Sequence, residues 1–306
     1  MEIQKFQQQN KKIVVVGTIF VDIKGYPEGV FIPQGRNAGR IEYKYGGVGR
    51  NIADDLAGLG LHPVFVSMSD PSGPGAAIIQ NLKRRGVVTD YMIEVQNGIG
   101  TWMVILTPEG DVCANLSKRQ DLLPLCSVIE KNGNAIFSDA DGILLEMDVE
   151  EEIVSRVFEY AERFQLDVYG VISNMTIAKE RIPYIQKTAC FICNKQEFGQ
   201  LLEQEIQNKD PQEILEILKA YLQKSGMKCM VVTLDKDGAV FASSAGETGI
   251  CPSEKVELVD STGAGDSFFA GVSAGLIYEM DLPEACRLGT KMAAAVIRST
   301  ENVYRQ

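Results

Sequence analysis

Two glycine-bearing segments carry the residues best suited to chemistry. Near the C-terminal end stands Asp260-Ser261-Thr262-Gly263-Ala264-Gly265-Asp266, followed by the apolar periodic run Ser267–Leu276. Glycines at the mouth of a helix permit a tight turn whose successive N–H groups point outward. The positive end of the helix dipole reinforces the anion nest so formed. An aspartate in the first helical turn is favoured by the same dipole. Its ionised carboxylate can take a proton from an alcohol that attacks a bound phosphate. A positioned nucleophile, a base and charge stabilisation of the transferred group are what phosphoryl transfer requires. A plain helix cap is the simpler alternative for this segment taken alone, since G-x-G loops are common.

The second segment, Gly46-Gly47-Val48-Gly49-Arg50-Asn51, leads into a helical pattern over Asn51–Leu59 that places Ile52, Leu56 and Leu59 on one face. Read as a dinucleotide fingerprint it fails, because position 52 is Ile52 and the preceding Glu42–Tyr45 is not an apolar central strand. No G-x-x-x-x-G-K-[ST] loop occurs in the chain. The two glycine-rich helix starts are therefore expected to form two sides of one cleft, one for a phosphate and one for its acceptor.

The elements that must position them alternate. Short apolar runs at Ile13–Val16, Val64–Met68, Ile143–Glu146, Asp167–Ile172, Cys190–Cys193 and Cys229–Leu234 read as strands. Helical patterns lie between and after them at Asn51–Leu59, Glu151–Phe164, Gln212–Leu222, Ala264–Tyr278 and Leu282–Thr300. This predicts an α/β fold, a doubly wound, mostly parallel sheet with helices on both faces. Two stretches break the rhythm. Gly25–Tyr45 is rich in Gly, Pro and polar residues, and Thr101–Leu106 and Val112–Leu116 flank the turn Pro108-Glu109-Gly110. Together, residues 25–45 and 98–118 are expected to form a small β lid within one domain over 12–306. Residues 1–11, polar and Gln-rich, are expected to be a disordered tail.

Composition narrows the partners. The 306 residues are 45% hydrophobic with a net charge of -11, which argues against nucleic acid or anionic membrane as the main partner. No run approaches the about 18 apolar residues of a membrane span, and no signal-like segment opens the chain, so a cytoplasmic location is expected. The seven cysteines are odd in number and scattered, suggesting reduced thiols. Cys190 and Cys193 spell C-x-x-C, but three residues apart on a strand they point to opposite faces. His62, beside Pro63, reads as a loop residue. Lys83-Arg84-Arg85 reads as a complement to a helix C-terminus.

GGVGRN followed much later by DSTGAGD, in this order and with these flanking helices, resembles the two signatures of the ribokinase, or PfkB, carbohydrate kinase family. The resemblance spans Lys12 to Arg305. Asn194-Lys195-Gln196-Glu197 is similar to the family's N-x-x-E element, and Thr233-Leu234-Asp235-Lys236-Asp237-Gly238 resembles its T-L-G-x-x-G nucleotide loop, with Asp235 where glycine is usual. The resemblance implies a ribokinase-like fold, ATP as phosphoryl donor and Mg²⁺. It implies Asp266 as base, with the Gly263, Ala264 and Gly265 amides as an anion hole. Asp22 would grip sugar hydroxyls, Gly46, Gly47 and Asn51 would hold the rest of the acceptor, and Arg50 would contact a polar base or pair with a lid carboxylate. Asn194, Thr233 and Gly238 would face ATP, Thr290 would fall near the adenine pocket, and Glu197 would organise Mg²⁺ largely through water. Asp260 begins a loop that in many relatives coordinates a monovalent cation, K⁺.

Within the family, the first signature, together with Asp22–Tyr26 and Asn37-x-Gly39, most resembles pseudouridine kinases. Kinases of ribose, fructose or the adenosine class remain alternatives, as does a non-catalytic binding protein on the same fold. Ser173-Asn174-Met175 departs from the Asp-Pro pair frequent in the family. The lid, carrying Ile41, Tyr43 and Tyr45, offers a face for a homodimer, which the sequence leaves open.

Overall fold

The computed structural model describes Phe6, residues 9–107 and residues 112–305. The Pro108-Glu109-Gly110 turn and most of the expected tail lie outside the described residues. Of that tail, Phe6 is buried edge-on against Tyr278, with ring centroids 4.6 Å apart, and the Lys11 ammonium donates to the Ile277 carbonyl at 2.7 Å.

The main sheet runs, edge to edge, Thr248–Cys251, Ala239–Ser243, Cys229–Thr233, Cys190–Asn194, Val168–Val171, Gly142–Glu146, Ile13–Val16 and Val64–Val66. Six neighbouring strands pair in parallel, and Ala239–Ser243 runs antiparallel to both its neighbours, Cys229–Thr233 and Thr248–Cys251. Strands covered on both faces need apolar residues at every position, which is why Ile13–Val16 is fully buried. Its side chains alternate between two cores. Val14 and Val16 join Ile143, Leu145 and Phe191 on one face, while Ile13 and Val15 join Leu144, Phe65 and Phe269 on the other. Cys190 and Cys193 fall into opposite cores, and all seven cysteines are free thiols.

Helix Ala264–Ile277 is apolar all round because it is buried between Val48–Gly58 and Leu282–Ile297. Other helices follow local chemistry: Pro211–Ser225 starts with a reciprocal Asp210–Glu213 capping box and stops at Gly226 in the left-handed region.

The expected strand Val64–Met68 divides. Val64–Val66 stays in the main sheet, whereas Met68-Ser69 pairs with Ile93-Glu94 apart from it. A separate four-stranded sheet has the order Gly39–Gly46, Phe20–Pro27, Gly100–Leu106, Val112–Lys118, and so begins at Phe20, ahead of the expected residue 25. Its register places Lys44, Asp22, Trp102 and Ser117 in one row across the strands, and Tyr43, Ile23, Met103 and Leu116 in the next. Successive residues on a strand face opposite ways. The polar row therefore shares one face, and the exposed Tyr43, Met103 and Leu116 share the other.

Candidate active site

Both glycine-rich helix starts open onto one cleft at the carboxyl ends of the parallel strands, where open α/β sheets bind ligands. The cleft holds a cavity of about 340 Å³ lined, among others, by Asp22, Gly46, Gly47, Asn51, Gly263 and Asp266. That volume lies at the lower end of small-molecule sites. A larger surface groove of about 910 Å³, lined by Met175, Lys179, Gln200 and Glu203, contains none of the expected site residues.

Two hydrogen bonds tie the walls together. Asn51 Nδ2 donates to Asp266 Oδ2 at 2.7 Å, and the next residue, Ser267, donates through Oγ to Asp55 Oδ2 at 2.8 Å. Asp55 sits one turn after Asn51, so the pairs stack along two packed helices. Gly47, which starts the first helix, has φ +98°, and a side chain there would collide with the Thr18 carbonyl. Gly263, with φ +83°, starts the second, with no side chain capping it and the backbone of Asn302 packed where a Cβ would lie. Both positions thus require glycine.

Asp266 is half-buried. Desolvation pushes its carboxyl up to about 6, against the Asn51 hydrogen bond and the Arg50 guanidinium, which favour the charged form. Near neutral pH it is therefore mostly an ionised acceptor, poised close to its titration range, as a general base should be. Asp22 is also raised by burial, while Lys24 and Lys44 pull it down. Its carboxylate lies close against Gly46, where an added Cβ would meet Oδ2 at 3.1 Å.

Glu146 closes the strand Gly142–Glu146 and was not among the residues singled out from sequence. It accepts from Thr18 N–H at 2.7 Å, Thr18 Oγ1 at 2.9 Å and Gly49 N–H at 3.0 Å. It thereby anchors the first glycine loop to the end of the first strand. Burial raises it to about 7, with the nearby Asp148 adding to the rise. Asp148 in turn accepts from Ser173 N–H and Oγ, both at 2.7 Å, and from Asn174 N–H at 2.9 Å, so the unusual Ser173-Asn174 pair forms part of the cavity wall. Gln120 was missed as well. It is buried, lines the cavity, and neither its Oε1 nor its Nε2 has a hydrogen-bond partner among the described residues. An acidic residue ending a central apolar strand could have signalled Glu146; nothing local distinguishes Gln120.

Arg50 is a correction to the expected acceptor set. It is 4% exposed and absent from the cavity wall. Its Nη2 donates to Asp54 Oδ2 at 2.8 Å and its Nη1 to the Tyr45 carbonyl at 3.0 Å. The reason is Asp54, four residues on and fully buried, whose charge would be costly to leave unpaired. Arg85 and Arg305 complete its pairing.

The expected nucleotide residues lie along the same strand ends, outside the acceptor cavity. Asn194 and Thr233 are register partners on adjacent strands. Asn194 and Glu197 form a reciprocal capping box, each side chain accepting from the other's backbone N–H, at 2.8 and 2.7 Å. Burial pushes Glu197 up to about 7, helped by Asp148. Asp235 holds φ +51°, the left-handed region that favours glycine and that aspartate tolerates, so the substitution keeps the turn. The Cys251 carbonyl packs directly on Gly238. Thr290 is buried; its hydroxyl donates to the Cys286 carbonyl at 2.9 Å and meets Cys251 Sγ at 3.4 Å. Asp260 accepts from Thr262 N–H at 2.9 Å, shaping the turn into the Gly263–Gly265 segment, where Ala264 N–H makes a longer 3.2 Å bond to the Ser261 carbonyl.

His62 meets the Gly86 carbonyl through Nδ1 at 3.0 Å, a loop contact. Among the described residues no group of three or more His, Cys, Asp or Glu side chains forms a metal cage, and no helix is long and apolar enough to cross a membrane.

Comparison with known proteins agrees with this geometry. The pfkB family carbohydrate kinase pattern matches residues 10–304. Guanosine-inosine kinase of Exiguobacterium acetylicum is 32% identical over 293 residues, covering 95% of this chain and 96% of that protein. Pseudouridine kinase of Escherichia coli K12 is 22% identical over 277 residues, covering 90% and 87%. Among solved structures, Arabidopsis thaliana ribokinase complexed with ribose and ATP superposes with a TM-score of 0.81 at 20% identity, covering 95% of this chain and 93% of that one. A family match across nearly the whole chain, with its two signatures facing each other over one cavity, makes this protein a member of the PfkB carbohydrate kinases and an ATP-dependent sugar or nucleoside kinase.

Proposed function

We propose that the chain transfers the γ-phosphoryl group of ATP to the CH₂OH hydroxyl of a purine nucleoside of the guanosine–inosine class. The observation that carries the chemistry is the Asn51–Asp266 hydrogen bond, which sets the base on the wall shared by both signatures. The acceptor oxygen forms a bond to the γ-phosphorus, and the bond from that phosphorus to the β–γ bridging oxygen breaks. ADP leaves, and the hydroxyl proton passes to the Asp266 carboxylate. The amides of the Gly263–Gly265 turn face the transferred group, with Ala264 N–H giving up its long bond to Ser261. Asp22 accepts from ribose hydroxyls, and Gly46 and Gly47 let the backbone approach the sugar closely.

The base is assigned to the end of the cavity carrying Gln120. An amide with donor and acceptor both buried and unpartnered is unfavourable by about 1–3 kcal/mol, which a nucleobase edge would relieve. The higher identity to guanosine-inosine kinase than to pseudouridine kinase moves the preference from pseudouridine to purines.

On the nucleotide side, Asn194, Thr233 and Gly238 line the strand ends. Mg²⁺ fits there as an ion held mostly by phosphates and water, because Glu197 and Asp148 supply carboxylates without forming a cage. When bound, it neutralises charge on the β- and γ-phosphate oxygens. The exposed Tyr43, Met103 and Leu116 mark the face a homodimer would use.

The test is ADP release with ATP and Mg²⁺ over inosine, guanosine, adenosine, pseudouridine, ribose and fructose. Inosine or guanosine should lead ribose by at least ~10-fold in kcat/KM, and Gln120→Leu should erode that lead by about as much. Preference for a free sugar, or a lead unmoved by Gln120→Leu, would overturn the assignment.

A further inference from the structure

The resemblance to the family implied a monovalent cation at Asp260, and the geometry there does not fit one. Asp260 Oδ2 is held by the Lys44 ammonium at 2.7 Å, and Oδ1 by Thr262 N–H at 2.9 Å. The same ammonium donates to the Thr300 carbonyl at 3.2 Å. A positive charge already lies between a carboxylate and a carbonyl oxygen of two different chain segments. Both partners are mostly shielded, with the Lys44 and Asp260 side chains 24% and 25% exposed.

Three features make this contact more than a surface ion pair, which in general contributes little. First, Lys44 belongs to the small sheet, whereas Asp260 and Thr300 belong to the main domain, so the contact joins the two bodies of the cleft. Second, Asp260 is three residues before Gly263, and its other oxygen shapes the turn into the anion hole. Third, Lys44 is the register partner of Asp22 on the neighbouring strand, so its charge also acts on the carboxylate assigned to the acceptor.

We propose that Lys44 is a tethered cation for the phosphate loop: its ammonium takes the place of a bound K⁺ between Asp260 and the Thr300 carbonyl, so that phosphoryl transfer requires no monovalent ion. This rests on the kinase reading above. Lys44 is a positioning residue, acting through Asp260 and the Gly263–Gly265 turn.

The experiment compares the wild-type chain with Lys44→Met at saturating inosine, ATP and Mg²⁺, in tetramethylammonium buffer with KCl, NH₄Cl or NaCl added at constant ionic strength. Wild-type kcat should change less than about 2-fold with K⁺. Lys44→Met should lose at least ~10-fold in tetramethylammonium, the scale of one lost charge-assisted hydrogen bond, and regain a large part with K⁺ or NH₄⁺. A second readout needs no acceptor: the Tm of Lys44→Met should rise in K⁺ relative to tetramethylammonium, while the wild-type Tm should not. Lys44→Gln serves the same comparison should the Met variant fail to fold. Strong K⁺ activation or K⁺ stabilisation of the wild-type chain would overturn the proposal. So would a folded Lys44→Met that is fully active without K⁺, or inactive with no recovery in any cation. A wild-type chain that turns over no nucleoside or sugar would instead strike the kinase reading, leaving the Tm comparison to decide the role of Lys44.

Discussion

Replacing Asn51 with leucine isolates the one of the two wall-joining hydrogen bonds that ends on Asp266. The leucine has similar volume, so the cavity wall stays filled and water does not simply replace the lost donor. Asn51 donates at 2.7 Å to Asp266, whose carboxyl is raised by burial to about 6 in spite of that bond. A hydrogen bond to a charged group contributes about 1.5–3 kcal/mol, and about 1.4 kcal/mol corresponds to one pKa unit. Because Asp266 is only half-buried, the lower end applies, and its removal should raise the carboxyl by roughly 1 unit. The sign follows directly: the base must be ionised, so activity is lost as pH falls, and the acid limb of kcat/KM should move from about 6 to about 7. Relative to wild type, the variant should be about 5-fold further down at pH 6 than at pH 9, and about 2-fold further down at pH 7. Any loss of acceptor contact scales the whole profile and leaves this ratio intact, and ionisation of ATP is common to both enzymes. An acid limb that stays in place while the rate falls uniformly would refute the coupling between Asn51 and Asp266.

Three further substitutions test separate links. Asp266→Asn should lower kcat by at least ~10² while ATP binding, measured by calorimetry, is retained; near-normal turnover would remove Asp266 as base. Glu146 titrates near about 7 in the folded chain, above its ordinary value, so the folded state binds the extra proton and stability should fall as pH rises from about 4.5 to 7. Glu146→Gln should flatten this dependence by roughly 3 kcal/mol in urea titrations at pH 5 and pH 8, and identical pH slopes would contradict it. Arg50→Met should destabilise the fold by about 1.5–3 kcal/mol, the scale of one charge-assisted hydrogen bond, because Arg85 and Arg305 still pair with buried Asp54. In protein still folded, the acceptor KM should change little, and a selective rise in that KM would restore Arg50 to the acceptor site.

The parallel sheet was legible because central strands announce themselves: Ile13–Val16 and Cys190–Cys193 are continuous apolar runs that no amphipathic surface element would show. Gly47 and Gly263 were legible for a similar reason, since a backbone that enters the left-handed region before a helix admits little else. What was hidden depends on residues far apart in the chain. Nothing near Gln120 indicates that its amide is buried at a cavity, and nothing near Lys44 indicates that Asp260 lies within reach, 216 residues on. Arg50 shows the converse. It sits inside the most recognisable motif of the chain, yet its direction is decided by Asp54 one turn later, whose buried charge competes for the guanidinium more strongly than an exposed cleft can.

Asn194-x-x-Glu197 shows why a matching motif can still carry two meanings. Asn followed three residues later by Glu is the pattern of a reciprocal helix cap, and the structure forms that cap with both bonds in place. The cap uses Glu197 Oε2, and burial beside Asp148 makes the remaining negative charge unfavourable enough to raise the carboxyl to about 7. A helix that starts with such a residue at the edge of a phosphate site gains most when a cation arrives, because the cation removes the penalty that the cap alone leaves in place. On the proposed function, capping and Mg²⁺ organisation would therefore be one arrangement with and without the ion. The local signal in sequence reports the first, and only the long-range approach of Asp148, from a different strand end, supplies the second.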